Sequence, residues 1–234
     1  MIRALAPAFA LLFALAACGE QPAPEPAPAD PDALEGAEAE VADILAAFIE
    51  DQEAAATAPD LSPLLAEARA CDRAGREDAP FDIPERASDQ NTGQYNTAVS
   101  AAFLEANSAN PCVFTLPSGL QIRIDQAVDD APSLARRGER VQVHYEGRLI
   151  DGTVFDSSFE RGAPAVFPSD RLIAGWVEAL PLMRMGEEWT LFIPAELAYG
   201  RAGTRGGPIG PNQALVFRLA LLGLPDQGVS TEPR

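Results

Sequence analysis

The 234-residue chain carries 35 acidic side chains against 17 basic ones, for a net charge of −18. All 17 basic residues are arginines, and the single histidine is His144. A chain of this charge repels phosphate backbones and anionic headgroups, which argues against a basic-patch role on nucleic acid or on a lipid surface.

The first element is MIRALAPAFALLFALAAC. Arg3 precedes an uncharged run from Ala4 to Ala17, shorter than the ~20 residues that a membrane span needs. A basic start, a short apolar run and small residues predict a secretory signal over 1–17. Leu15-Ala16-Ala17-Cys18 resembles the bacterial lipoprotein box. That resemblance implies lipidation of Cys18, which becomes the mature N-terminus and anchors the protein to the membrane. Gly19 stands where such lipoproteins carry an aspartate for inner-membrane retention, so the implied address is the outer membrane, facing the periplasm. Residues 18–32 alternate Pro and Ala with acidic side chains and read as an extended tether at about 3.1 Å per residue.

Residues 33–115 read as a helical region. Leu34, Val41, Ile44, Leu45 and Phe48 share one helical face; Leu61, Leu64, Leu65 and Ala68 share a second. Tyr95, Val99, Ala102, Phe103 and Ala106 form a third stripe, separated from the second by a loop over 75–90. These stripes are expected to pack on one another. From Leu116 the period becomes two, in Leu120/Ile122/Ile124, Val141/Val143/Tyr145, Trp189/Leu191/Ile193 and Leu215/Phe217/Leu219/Leu221. That alternation predicts antiparallel strands with one face on a core. Asp151-Gly152 predicts a hairpin turn, and one helix is expected within 175–186, stopped by Gly186. Strands crossed by a single helix make an α+β domain. Residues 225–234 read as a flexible tail.

Three cysteines are present. With Cys18 lipidated, Cys71 and Cys112 remain, and in an oxidising compartment they either pair or persist as two thiols. Their spacing and the lone histidine do not supply a metal site. His144 neighbours Tyr145, which shares the Val141/Val143 face, so His144 projects to the other side of its strand. A serine or cysteine nucleophile on the apolar face would find no imidazole base there, and His144 reads as a surface or structural residue. Asp156, a lone carboxylate after a turn, reads from residues alone as a turn or cap group. Tyr145, Phe155, Phe167, Trp176, Tyr199 and Phe217 are either core or the wall of a ligand pocket; spacing does not choose between them.

VHYEGRLIDGTVFDSS, LIAGWVEALPLMRMGE, IPAELAYG and GGPIGPNQALVF, in this order and spacing, resemble the FKBP-type peptidyl-prolyl cis-trans isomerases, and more closely their bacterial macrophage infectivity potentiator group. The likeness covers residues 116–224. It implies a five-stranded antiparallel sheet wrapped on a short helix, with an apolar cleft between them. Carried over by motif, the cleft residues are Tyr145, Phe155, Phe167 and Phe217 as walls, Trp176 as floor, and Leu172 and Ile173 along one edge. Asp156 and Tyr199 are then the polar fixtures, with Asp156 orienting a tyrosine hydroxyl or an arginine, and Ile209 sits on the Gly-rich flap. One aromatic of the small eukaryotic members falls on Ala165, a change that the bacterial group shares. The implied activity is rotation of X-Pro bonds in clients of the cell envelope, without metal or cofactor; the alternative is a chaperone whose cleft holds clients with little catalysis. Implied partners are proline-containing polypeptides and macrolide-type ligands. N-terminal helices hold members of that group as homodimers, but here the helical region is shorter and broken by a loop, which leaves monomer and dimer both open.

Overall fold

Alternation of apolar and polar residues gives each strand an inner and an outer side, and the computed structural model, which describes residues 59–71, 81–129 and 138–230, shows what covers each. The leader, Cys18, the tether and the Leu34–Phe48 stripe lie outside the described residues. The strands are β1 (Phe114–Thr115), β2 (Gln121–Gln126), β3 (Arg140–Leu149), β4 (Val154–Ser157), β5 (Ala165–Pro168), β6 (Glu188–Ile193), β7 (Leu215–Leu224) and β8 (Val229–Ser230). They form one antiparallel sheet in the order β1-β2-β6-β7-β3-β4, with β5 also on β3 and β8 on β7. Eight strands stand where five are expected. β1 and β8 are two-residue ends, and β4 and β5 are two pieces along the same edge of β3. The turn at Asp151-Gly152 joins β3 to β4, with the Thr153 N–H donating to the Asp151 carboxylate.

Val141, Val143, Trp189, Leu191, Ile193, Leu215, Leu219 and Leu221 are fully buried on the inner side. Helix α3 (Ala174–Ala179) packs there through Trp176 and Ala179. It ends well before Gly186, contrary to expectation. Pro181 has no N–H to give to the Val177 carbonyl, so the chain tightens into a 3₁₀ turn over Leu180–Leu182.

The two earlier helices pack on the sheet instead of forming a separate helical layer. Helix α1 (Ser62–Ala70) adds Leu65 and Ala68 to the inner core. Helix α2 (Thr92–Asn107) covers the outer side, and its buried stripe is Asn96, Val99, Ser100, Phe103 and Asn107, while Ala102 and Ala106 are exposed. The stripe read from apolar residues alone is therefore rotated. Asn107 donates to the Gln121 side chain (2.8 Å), Gln121 donates to the Leu104 carbonyl (2.7 Å), and Phe103 meets Phe192. A disulfide between Cys71 and Cys112 ties the end of α1 to the segment before β1, with Cα atoms 5.6 Å apart. Residues 225–230, expected to be loose, fold back: Asp226 accepts the Arg140 N–H and pairs with its guanidinium, and β8 extends β7.

Glu187 joins α1 to the sheet. Its carboxylate is fully buried and accepts from Arg69 Nε (2.7 Å) and Nη2 (3.2 Å), the Arg184 N–H (2.8 Å) and the Trp189 indole (3.0 Å). A buried charge is tolerable only when paired and hydrogen-bonded in this way. Arg69→Ala strands that carboxylate and is expected to cost about 3 kcal/mol, read as a lowered urea midpoint with an unchanged slope.

Candidate active site

The inner side of the sheet is wider than α3 can cover, and the uncovered part is an open cleft of about 590 Å³. Its lining comes from β3 (Tyr145), β4 (Phe155, Asp156), β5 (Phe167), the turn into α3 (Arg171 to Ala174), α3 (Trp176), the turn after β6 (Ala198, Tyr199) and β7 (Phe217). Nine of the ten cleft residues carried over by motif thus meet in one place. Ile209 is the exception: it is buried in the core and does not line the cleft. The flap folds back on itself, with the Thr204 N–H donating to the Ile209 carbonyl and the Ile209 N–H to Thr204 Oγ1, and this turns Ile209 inward.

Trp176, 4% exposed, forms the floor. Three rings meet its indole edge to face: Tyr145 (5.4 Å, 79°), Phe217 (5.3 Å, 82°) and Phe167 (6.5 Å, 74°). This is the geometry that ring quadrupoles favour. Phe155 in turn stands edge-on to Phe217 at 5.5 Å. The wall exists because position 147 of β3 is glycine. A Cβ there would come within 2.5 Å of Phe155 Cζ and 2.7 Å of Phe217 Cε1. Nothing in the local sequence pattern marks Gly147 as the residue that makes room for two rings.

The polar side of the cleft is a closed triad. Tyr145 donates its hydroxyl to Asp156 Oδ2 (2.6 Å), Arg161 Nη1 pairs with Asp156 Oδ1, and Arg161 Nη2 donates to the Tyr145 oxygen (2.9 Å). Arg161 also lies over the Tyr145 ring at 5.5 Å. Of the two donors expected for Asp156, a tyrosine hydroxyl or an arginine, the structure has both. Partial burial opposes ionisation of Asp156, but the Tyr145 hydroxyl, the Arg161 guanidinium and the Ser157 N–H outweigh it and hold its pKa below the usual 3.8. Burial, reinforced by the hydrogen bond to Asp156, pushes the Tyr145 phenol above 10.0. Among the described residues the Ile173 N–H meets no backbone acceptor, and the buried Trp176 indole N–H has no hydrogen-bond partner. Tyr199 stands at the rim, 40% exposed.

His144 lies across the sheet, as its strand position requires. Its Nδ1 is 2.9 Å from Ser158 Oγ and its ring stacks on Phe159 at 4.6 Å. Burial, with the positive charge of Arg218, depresses its pKa. Helix α2 holds the base of the flap. Asn96 donates to the Pro211 carbonyl (2.8 Å), and Ser100 donates to the Asn212 carbonyl (3.1 Å) while accepting the Ala214 N–H (2.9 Å). These polar residues carry no apolar period, which is why a sequence reading passes over them.

Residues 131–222 match the family model described as FKBP-type peptidyl-prolyl cis-trans isomerase. The chain is 48% identical over 127 residues to the outer membrane protein MIP of Legionella longbeachae, across 54% of this chain and 53% of that protein. It is 44% identical over 142 residues to a macrophage infectivity potentiator of Trypanosoma cruzi, across 60% of this chain and 70% of that protein. The crystal structure of a peptidyl-prolyl cis-trans isomerase from Pseudomonas syringae pv. tomato superposes with a TM-score of 0.52 at 33% identity, covering 59% of this chain and 98% of that one. The matched stretch spans about half the length of curated relatives such as the Legionella protein.

Two outcomes follow for the site. Gly147→Ala drives the Phe155 and Phe217 rings apart and is expected to cost about 1–3 kcal/mol of stability, together with collapse of ligand binding in the cleft, read by thermal melts and titration. In the triad the carboxylate is charged and the phenol neutral from about pH 5 to 9, so any activity of the cleft should be flat across that range. The stabilising contribution of Asp156 is complete above the unfolded carboxylate pKa and lost as pH falls through the depressed folded one. A pH–rate profile together with acid titration of the fold checks both statements.

Proposed function

Because the chain belongs to the FKBP-type peptidyl-prolyl cis-trans isomerases, within their macrophage infectivity potentiator group, we propose that its cleft rotates X-Pro peptide bonds in polypeptide clients. The observation that carries this reading is an open bowl of four rings around Trp176 in which the one carboxylate is already neutralised.

An X-Pro amide resists rotation by about 18–20 kcal/mol, because resonance moves charge from nitrogen to oxygen. At about 20 kcal/mol the uncatalysed rate is roughly 0.01 per second. Twisting the bond breaks that resonance and leaves a less polar group, which an apolar cleft favours over the planar amide. A thousandfold acceleration requires only about 4 kcal/mol. Trp176 offers a flat floor to the proline ring while Tyr145, Phe155, Phe167 and Phe217 keep water out. The Ile173 N–H and the Tyr199 hydroxyl hold substrate carbonyls. Asp156 and Arg161 fix the Tyr145 ring, and their mutual pairing cancels the charge on that side of the bowl. No proton changes hands.

We further propose that the protein works in the cell envelope on a lipid anchor. The signal over 1–17, the Leu15–Cys18 box and the outer-membrane designation of the Legionella relative support this address. Incorporation of labelled palmitate at Cys18, abolished by Cys18→Ser, tests it.

A protease-coupled assay on a Leu-Pro peptide tests the activity. Wild type should accelerate isomerisation, and Tyr199→Phe, which deletes one rim hydroxyl, should lower kcat/KM by about tenfold with an unchanged melting temperature. Absence of turnover alongside protection of unfolded clients from aggregation would favour the chaperone reading instead.

A further inference from the structure

We infer that Arg171 makes the cleft selective for polypeptides with an acidic side chain close to the proline, an inference that rests on the isomerase reading above. Among the cleft-lining residues only Asp156 and Arg171 are charged. Asp156 is spoken for, by the Tyr145 hydroxyl and by the Arg161 guanidinium. Arg171 has no carboxylate partner among the described residues; its backbone N–H donates to the Pro168 carbonyl, which fixes the turn leading into α3. The adjacent Asp170 carboxylate lies against Gly138 at the entry to β3, and Glu178 of α3 accepts from Ser118.

Among the described residues the cleft lining thus carries one charge without a carboxylate partner, and that charge is positive. On a protein of net charge −18 this is a local reversal of sign. Arg171 is followed directly by Leu172 and Ile173, and all three line the cleft, so a peptide bonded to the Ile173 N–H passes within two residues of this charge. The complementary client has Glu or Asp one or two positions from the proline, and Lys or Arg there is disfavoured. Arg171 is exposed, so the discrimination is that of a screened surface pair, roughly two- to fivefold at low salt, and it fades as salt shortens the Debye length.

The test uses a series of Leu-Pro peptides carrying Glu, Gln or Lys on either side of the Leu-Pro unit, assayed in low and in high salt. In wild type the Glu peptide should exceed the Lys peptide in kcat/KM by severalfold at low salt and by little at high salt. Arg171→Gln should bring the Glu:Lys ratio to about one, and Arg171→Glu should invert it. Equal rates for Glu and Lys peptides in wild type, or a preference that survives Arg171→Gln, overturns the inference. Failure of the Gln peptide to turn over is a different result, because it removes the isomerase reading. The same peptides are then titrated against the protein by calorimetry, where tighter binding of the Glu peptide supports the charge selection and equal binding overturns it.

Discussion

Covering the two sides of one antiparallel sheet is the constraint on which the rest of this structure depends. β7 has ten residues, about 33 Å of strand, whereas α3 has six, about 9 Å of helix. So short a helix cannot bury the inner side of the sheet. What it leaves bare is lined with rings, and those rings around Trp176 are the cleft. The length of α3 is in turn set by Pro181, whose missing N–H ends the α-helical ladder. The cleft lies at the other end of α3, where residues 171–174 and Trp176 line it, while Leu180 and Met183 beside Pro181 are buried in the core.

The remaining inner surface and the outer side are closed by α1 and α2, both before the stretch that the family model matches. Neither behaves as an appended layer. α1 delivers Arg69 to a carboxylate that no solvent reaches, and the Cys71–Cys112 bridge holds its end. α2 uses amides and hydroxyls more than apolar contacts, and these satisfy backbone groups at the base of the flap. Buried polar groups of this kind are costly when unpaired and specific when paired. They couple the first part of the described chain to the base of the flap.

Within the cleft, charge is managed by pairing. Asp156, Arg161 and Tyr145 satisfy one another, which locks the orientation of the Tyr145 ring and leaves the bowl apolar. The triad thus holds one ring in place, and the single histidine lies on the opposite side of β3, against Ser158. Arg171 is the one charge in the lining that this arrangement does not cancel.

Much of this was determined by the sequence alone. Period-two alternation reports which side of a strand is buried, so the inner residues of β2, β3, β6 and β7 and the outward turn of His144 were legible before any coordinates. Motif order carried nine of the ten proposed cleft residues to one place. Tertiary structure decided the rest, because those outcomes depend on partners distant in the chain. The rotation of α2 onto Asn96, Ser100 and Asn107 follows from backbone groups more than 100 residues away for the first two, and no helical period records them. Ile209 turned inward because Thr204 captures its backbone, and Gly147 matters because two rings from other strands need its missing Cβ. A sequence records which side chains can be buried; only packing decides which neighbour must give way to them.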